Sequence, residues 1–224
     1  MGSDAREHHL EVTRTARYWT LGDVGTAEEI WFVLHGYKQL ARRFLRRFEV
    51  LDDGRRAIVA PEALSRFYVS QESGRHGSKS VVGATWMTRE EREVEIHDYV
   101  RYLDRLASVL LADTHSRRII VLGFSQGVAT AARWVTHGTI HPDRLIFWAD
   151  FMPPDLDLAA ARAAWADVEV VIVRGREDRA LASRLDDEER DRLAAAAIPY
   201  RLVEYAGGHD VEPDTLRRLA GERS

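Results

Sequence analysis

Three residues suited to nucleophilic catalysis occur in one order along the chain: Ser125 in Gly123-Phe124-Ser125-Gln126-Gly127, Asp178 in Gly175-Arg176-Glu177-Asp178, and His209 in Gly207-Gly208-His209-Asp210. A neutral hydroxyl is a poor nucleophile. It needs a base to take its proton and a carboxylate to orient that base and stabilise the imidazolium. Ser125, His209 and Asp178 can fill these roles. Asp150 also ends a strand-like run after Ser125, so position alone leaves two candidate acids. Gly175 gives the Asp178 loop freedom to turn back toward His209, whereas Asp150 precedes the stiff apolar segment Phe151-Met152-Pro153-Pro154, better suited to lining a pocket. That contrast favours Asp178.

A tetrahedral intermediate would carry an oxyanion that needs two preorganised N–H donors. The Gln126 amide, at the start of a helix, is one candidate; the Tyr37 amide, in the loop His35-Gly36-Tyr37-Lys38-Gln39, is the other. Trp86, Met87, Phe151 and Met152 are candidate wall residues of a substrate pocket, although each could equally be core. The remaining histidines show no ligand spacing such as H-E-x-x-H, so no metal is expected.

These groups need elements to hold them. Ile119 to Leu122 is an apolar run before the serine and Val128 to Trp134 a small-residue run after it, which reads as strand, sharp turn and helix. Ile30 to Leu34, Ala57 to Ala60, Leu145 to Ala149, Val168 to Val173 and Tyr200 to Tyr205 read as further strands, and residues 9 to 20 as an edge strand or hairpin. Helical spacing covers Gln39 to about Val50, an alanine-rich stretch after Pro154, Leu185 to Ala197, and Pro213 to Leu219. Thr88-Arg89-Glu90-Glu91 matches a capping box opening a helix that runs to about Ala112. Ser70 to Lys79 reads as a polar, functional or mobile loop. Strands alternating with helices imply an α/β fold, a mostly parallel sheet with helices on both faces, in one domain over residues 1–224. Only 18 residues separate Ala149 from Val168, which leaves no room for a large lid domain there.

Bulk properties narrow the function classes. With no cysteine, disulfides and thiolate chemistry are excluded and serine is left as the side-chain nucleophile. A formal net charge of −4 argues against nucleic-acid binding. The basic cluster Arg42-Arg43 with Arg46-Arg47 interleaves with Leu40, Phe44, Leu45 and Phe48 as the solvated face of an amphipathic helix. No apolar run is long enough for a membrane span and the N-terminus lacks a signal-peptide core, so a cytoplasmic location is expected.

With these motifs in place, the chain resembles the phospholipase/carboxylesterase family of α/β-hydrolases, which includes small bacterial esterases and acyl-protein thioesterases. Leu34-His35-Gly36-Tyr37, the Ser125 pentapeptide, Gly175-Arg176-Glu177-Asp178 and Gly208-His209 with Pro213 carry the resemblance. It implies an α/β-hydrolase fold, a Ser-His-Asp triad, no cofactor, and a small-molecule ester or thioester substrate. Two positions depart from the family pattern. Lys38 stands where the family often has glycine, and Arg179-Ala180-Leu181-Ala182 follows the acid where a Val-Pro pair is usual. The expected function is a serine carboxylesterase acting on short-chain esters. A thioesterase or lysophospholipase with the same triad, or a noncatalytic binding protein on this fold, are the alternatives.

Overall fold

In the computed structural model of the protein, residues 5–69, 77–112, 117–179, 181 and 183–222 are described, the side chains of 183–186 excepted. The expected loop from Ser70 to Lys79 falls mostly outside them; residues 77–79 are exposed. Five parallel pairings and one antiparallel pairing join seven strands: β1 (Tyr18–Leu21), β2 (Glu29–Leu34), β3 (Arg56–Pro61), β6 (Arg118–Phe124), β7 (Arg144–Trp148), β8 (Glu169–Gly175) and β9 (Arg201–Tyr205). Their spatial order is β1-β3-β2-β6-β7-β8-β9. The expected sheet is therefore present, with the helices α1 (Ala41–Leu45), α2 (Arg92–Leu110), α3 (Gln126–His137), α4 (Leu158–Ala164), α5 (Ser183–Ala195) and α6 (Pro213–Gly221) around it. This is the mostly parallel α/β architecture expected from the sequence, and among the described residues no large lid interrupts it.

The apolar runs are continuous because both faces of the sheet are buried. Ile30, Phe32 and Leu34 of β2 pack with residues of α2, α3 and α4. The alternate residues Trp31 and Val33 pack with Phe44, Leu216 and Leu219 from α1 and α6. A one-residue slip of register would exchange those two sets. The chain winds outward in both directions from β2 and β6, so their carboxyl ends form the topological switch point where open α/β sheets place ligands. The loops that leave these two strands are 35–39 and the turn at Ser125.

Several elements differ from the sequence reading. The strand expected within residues 9–20 reduces to β1; residues 5–17 are without regular structure. The helix expected over 39–50 splits into α1 and a 3-10 stretch, Arg46–Leu51. The capping box does not form. Glu91 is left-handed (φ 49°), α2 begins at Arg92, and it is Glu95, seven residues on, whose carboxylate takes the Thr88 amide. A second sheet, the hairpin β4 (Ser65–Tyr68) and β5 (Val82–Thr85), was not evident from the sequence. Among the described residues no helix is long and apolar enough to cross a membrane.

Candidate active site

Ser125 sits between β6 and α3 with φ 53° and ψ −126°, outside the regions that L-residues ordinarily occupy. Such strain persists only where surroundings enforce it. Here the Ser125 amide donates to the Trp148 carbonyl at 2.9 Å, fixing the turn to β7. On the other flank, a Cβ on Gly127 would lie 2.2 Å from the Leu34 carbonyl oxygen, so only glycine lets α3 approach β2.

His209 and Asp178 are brought together. His209 Nδ1 lies 2.7 Å from Asp178 Oδ2; the carboxylate side chain is 1% exposed and the imidazole 38%. With Nδ1 donating to the carboxylate, Nε2 is the nitrogen left to accept a proton. The His209 ring packs against that of Phe124, the residue before Ser125, with centroids 5.0 Å apart. The two loops are stitched by backbone bonds: Arg176 N to Tyr205 O at 3.0 Å and Glu177 N to Gly207 O at 2.9 Å. Gly175 contributes close approach, since a Cβ there would lie 2.5 Å from the Gly207 carbonyl and 2.7 Å from that of Gly208. Its role is to let the acid loop touch the histidine loop, rather than to give the backbone freedom to turn. The Tyr205 hydroxyl lies within hydrogen-bond reach of the Gly208 and Asp210 carbonyls (2.7 and 2.6 Å), and the Trp148 indole donates to Asp210 O at 2.9 Å.

The loop after β2 is held as tightly. Lys38 adopts φ 65°, the left-handed conformation that glycine adopts without strain. The lysine at this position therefore takes the left-handed conformation in spite of its side chain. Lys38 N donates to Ala84 O at 3.0 Å and Ala84 N to Gln39 O at 3.1 Å, so hairpin strand β5 pins the loop from outside. From inside it is held by His35, fully buried, whose Nδ1 donates to Gly36 O (2.8 Å) while Nε2 accepts from Ala63 N (3.1 Å). Burial lowers the His35 pKa to about 4, outweighing the opposing pull of the Gly36 carbonyl and of Glu62, so the ring is neutral near pH 7. Among the described residues, no acceptor takes the Tyr37 amide. The Tyr37 ring stacks on Phe67 at 5.4 Å.

Gln126, at the first position of α3, holds β5 to the serine turn through its side chain. Its Oε1 accepts from Trp86 N at 3.1 Å and its Nε2 donates to Met87 O at 3.0 Å. That leaves its backbone amide at a helix start, where no intrahelical acceptor exists. Of the four expected wall residues, Trp86 and Met152 are each 2% exposed and belong to the core, and Trp86 donates its indole N–H to His35 O at 2.8 Å. Met87 and Phe151 are half-buried.

Asp150 is not on the histidine. Its Oδ1 accepts from its own neighbour Phe151 N at 2.8 Å. Two residues that the sequence reading missed, Arg174 at the end of β8 and Glu189 on α5, are buried and ion-paired. Arg174 also donates to the Asp150 carbonyl, and Glu189 Oε1 accepts from Met152 N at 2.6 Å. A charged pair 15 residues apart, on different elements, has no local sequence signature.

No protein-family model matches the sequence, and no curated protein matches it. Solved structures do. The chain is similar to acyl-protein thioesterase 2 of Zea mays, with TM-score 0.68 and 16% identity over 92% of this chain and 96% of that one. It is similar to esterase PE8, with TM-score 0.65 and 20% identity over 92% and 98% of the two chains. A phospholipase/carboxylesterase of Dyadobacter fermentans gives TM-score 0.65 and 17% identity over 93% and 96%. At these identities the likeness shows the fold.

Proposed function

We propose that this protein is a serine carboxylesterase hydrolysing small, short-chain esters through an acyl-enzyme on Ser125. The observation that carries the reading is the 2.7 Å contact of His209 Nδ1 with the buried Asp178 carboxylate, at the same sheet edge as the strained Ser125 turn. In this reading His209 Nε2 takes the hydroxyl proton as Oγ attacks the ester carbonyl, and Asp178 stabilises the imidazolium. The amides of Tyr37 and Gln126 receive the oxyanion. Collapse expels the alcohol, which takes the proton from His209. A water then repeats the sequence, attacking the acyl-enzyme carbonyl and restoring the Ser125 hydroxyl as the acid leaves. The short β7 to β8 connection supports an open site and soluble substrates. A thioester carbonyl would meet the same groups, and the maize protein of similar fold is named a thioesterase. The residues span one domain, act without a cofactor, and suit a small-molecule partner in the cytoplasm.

Labelling with a fluorophosphonate tests the proposal. The native protein should react within minutes and Ser125→Ala should not. Ser125→Ala and His209→Ala should each lower kcat on an activated short-chain ester by roughly four orders of magnitude. An unreactive native protein would favour the noncatalytic reading, and a Ser125→Ala variant as active as the native protein would remove the nucleophile.

A further inference from the structure

Asp150 lies beside the nucleophile but outside the proposed triad. Trp148 pairs with Phe124 in the sheet register and accepts the Ser125 amide. Asp150 is two residues further on, past Ala149, which is left-handed at φ 60° and donates its amide to Val173 O of β8 at 3.0 Å. The Asp150 side chain is half-buried; Oδ1 holds the Phe151 amide, and among the described residues no donor pairs with Oδ2.

The charged groups facing it are Arg174, His209 and Asp178. Asp178 is committed to His209. Arg174 is committed three ways: to the Asp150 carbonyl, to Glu189, and with its guanidinium carbon 4.6 Å above the Phe151 ring. Glu189 in turn fixes the Met152 amide. This clamp immobilises residues 150–152 through their backbone and leaves the carboxylate without a hydrogen-bonded cation. Burial pushes the Asp150 carboxyl upward, while the Phe151 amide, Arg174 and His209 pull it back. The neighbouring Phe151 ring already accepts one cation, and an alkylammonium group is attracted both to an aromatic face and to a carboxylate.

We infer that Asp150, with Phe151 beside it, selects ester substrates bearing a cationic alkylammonium group. The inference rests on Ser125 being the nucleophile. A cation on the substrate would pair with the solvent-reachable Oδ2, whereas an uncharged isostere would displace water from it and offer nothing in return.

The test compares isosteric pairs differing only in charge. One pair is acetylcholine and dimethylbutyl acetate, with the charge on the alcohol; the other is the nitrophenyl esters of trimethylammoniobutyrate and dimethylhexanoate, with the charge on the acyl chain. For at least one pair, kcat/KM in the native protein should favour the cation by about tenfold or more, and in Asp150→Asn that ratio should fall to about one. Because the readout is a ratio within one protein, partial unfolding of a variant does not imitate it. A ratio near one in the native protein for both pairs, or an unchanged preference in Asp150→Asn, overturns the inference. A loss of a hundredfold or more on both members of a pair in Asp150→Asn would place Asp150 in the triad and also overturn it. Failure of the native protein to react with a fluorophosphonate would instead remove the esterase reading on which the inference rests.

Discussion

The buried His35 makes the fold sensitive to mild acid. In the unfolded chain an imidazole titrates near its ordinary 6.5, and in the folded protein near 4. The native state holds the ring neutral, so between these values the unfolded chain binds more protons. Stability from this group is fully present above pH 6.5, falls as pH drops, and stops falling below about 4. Integrating between the two values gives a loss on the order of 2 kcal/mol between pH 7 and pH 5, undiminished by solvent screening because the ring is fully buried. For a chain of this length, that corresponds to a fall in Tm of about 4–8 °C. The perturbation is His35→Gln, which retains an acceptor for Ala63 N but cannot titrate. Urea denaturation of both proteins at pH 7 and pH 5 isolates the residue, because every other group contributes to both. The native protein should lose about 2 kcal/mol more than the variant over that interval. Parallel losses would refute the reasoning and mean that water or a rearrangement accommodates charged His35.

On a neutral ester, Asp178→Asn should lower kcat at least about a hundredfold and Asp150→Asn less than about tenfold; the reverse ranking would make Asp150 the acid that holds His209. At Lys38, φ 65° makes side-chain branching costly, so Lys38→Val should destabilise by about 1–2 kcal/mol while Lys38→Gly is neutral or stabilising in thermal melts. Equal melting temperatures in the two variants would show that the loop relaxes. Gly175→Ala drives a methyl into the Gly207 and Gly208 carbonyls, so it should lower kcat by about tenfold or more in protein that remains folded by circular dichroism. Full activity would show that His209 keeps its place without that contact.

The parts legible in the sequence are those whose signal is local. A strand buried on both faces is an unbroken apolar run, and a serine turn is five adjacent residues. The hairpin β4–β5 gave no such signal because its strands are only four residues each, and its bonds to Lys38 and Gln39 are tertiary. Likewise, Trp86 and Met152 are apolar residues beside motif residues; sequence alone does not separate a pocket wall from core. Thr88 failed as a cap because Glu95, not Glu91, reaches its amide, one helical turn beyond the expected partner.

The choice between the two acids shows where local reading ends. Both Asp150 and Asp178 follow parallel strands, and both lie at the carboxyl edge of the sheet. What separates them is the packing of neighbouring loops. Gly175 lets residues 175–178 lie against 207–209, so Asp178 meets His209, while the Arg174 clamp holds the backbone of 150–152 and Asp150 bonds to its own chain. One glycine and one buried arginine, adjacent in sequence, thus give two carboxylates of the same type different partners. The same adjacency explains why a substrate cation would find Asp150 available: Arg174, the guanidinium packed against it, is spent on the backbone carbonyl, on Glu189 and on the Phe151 ring.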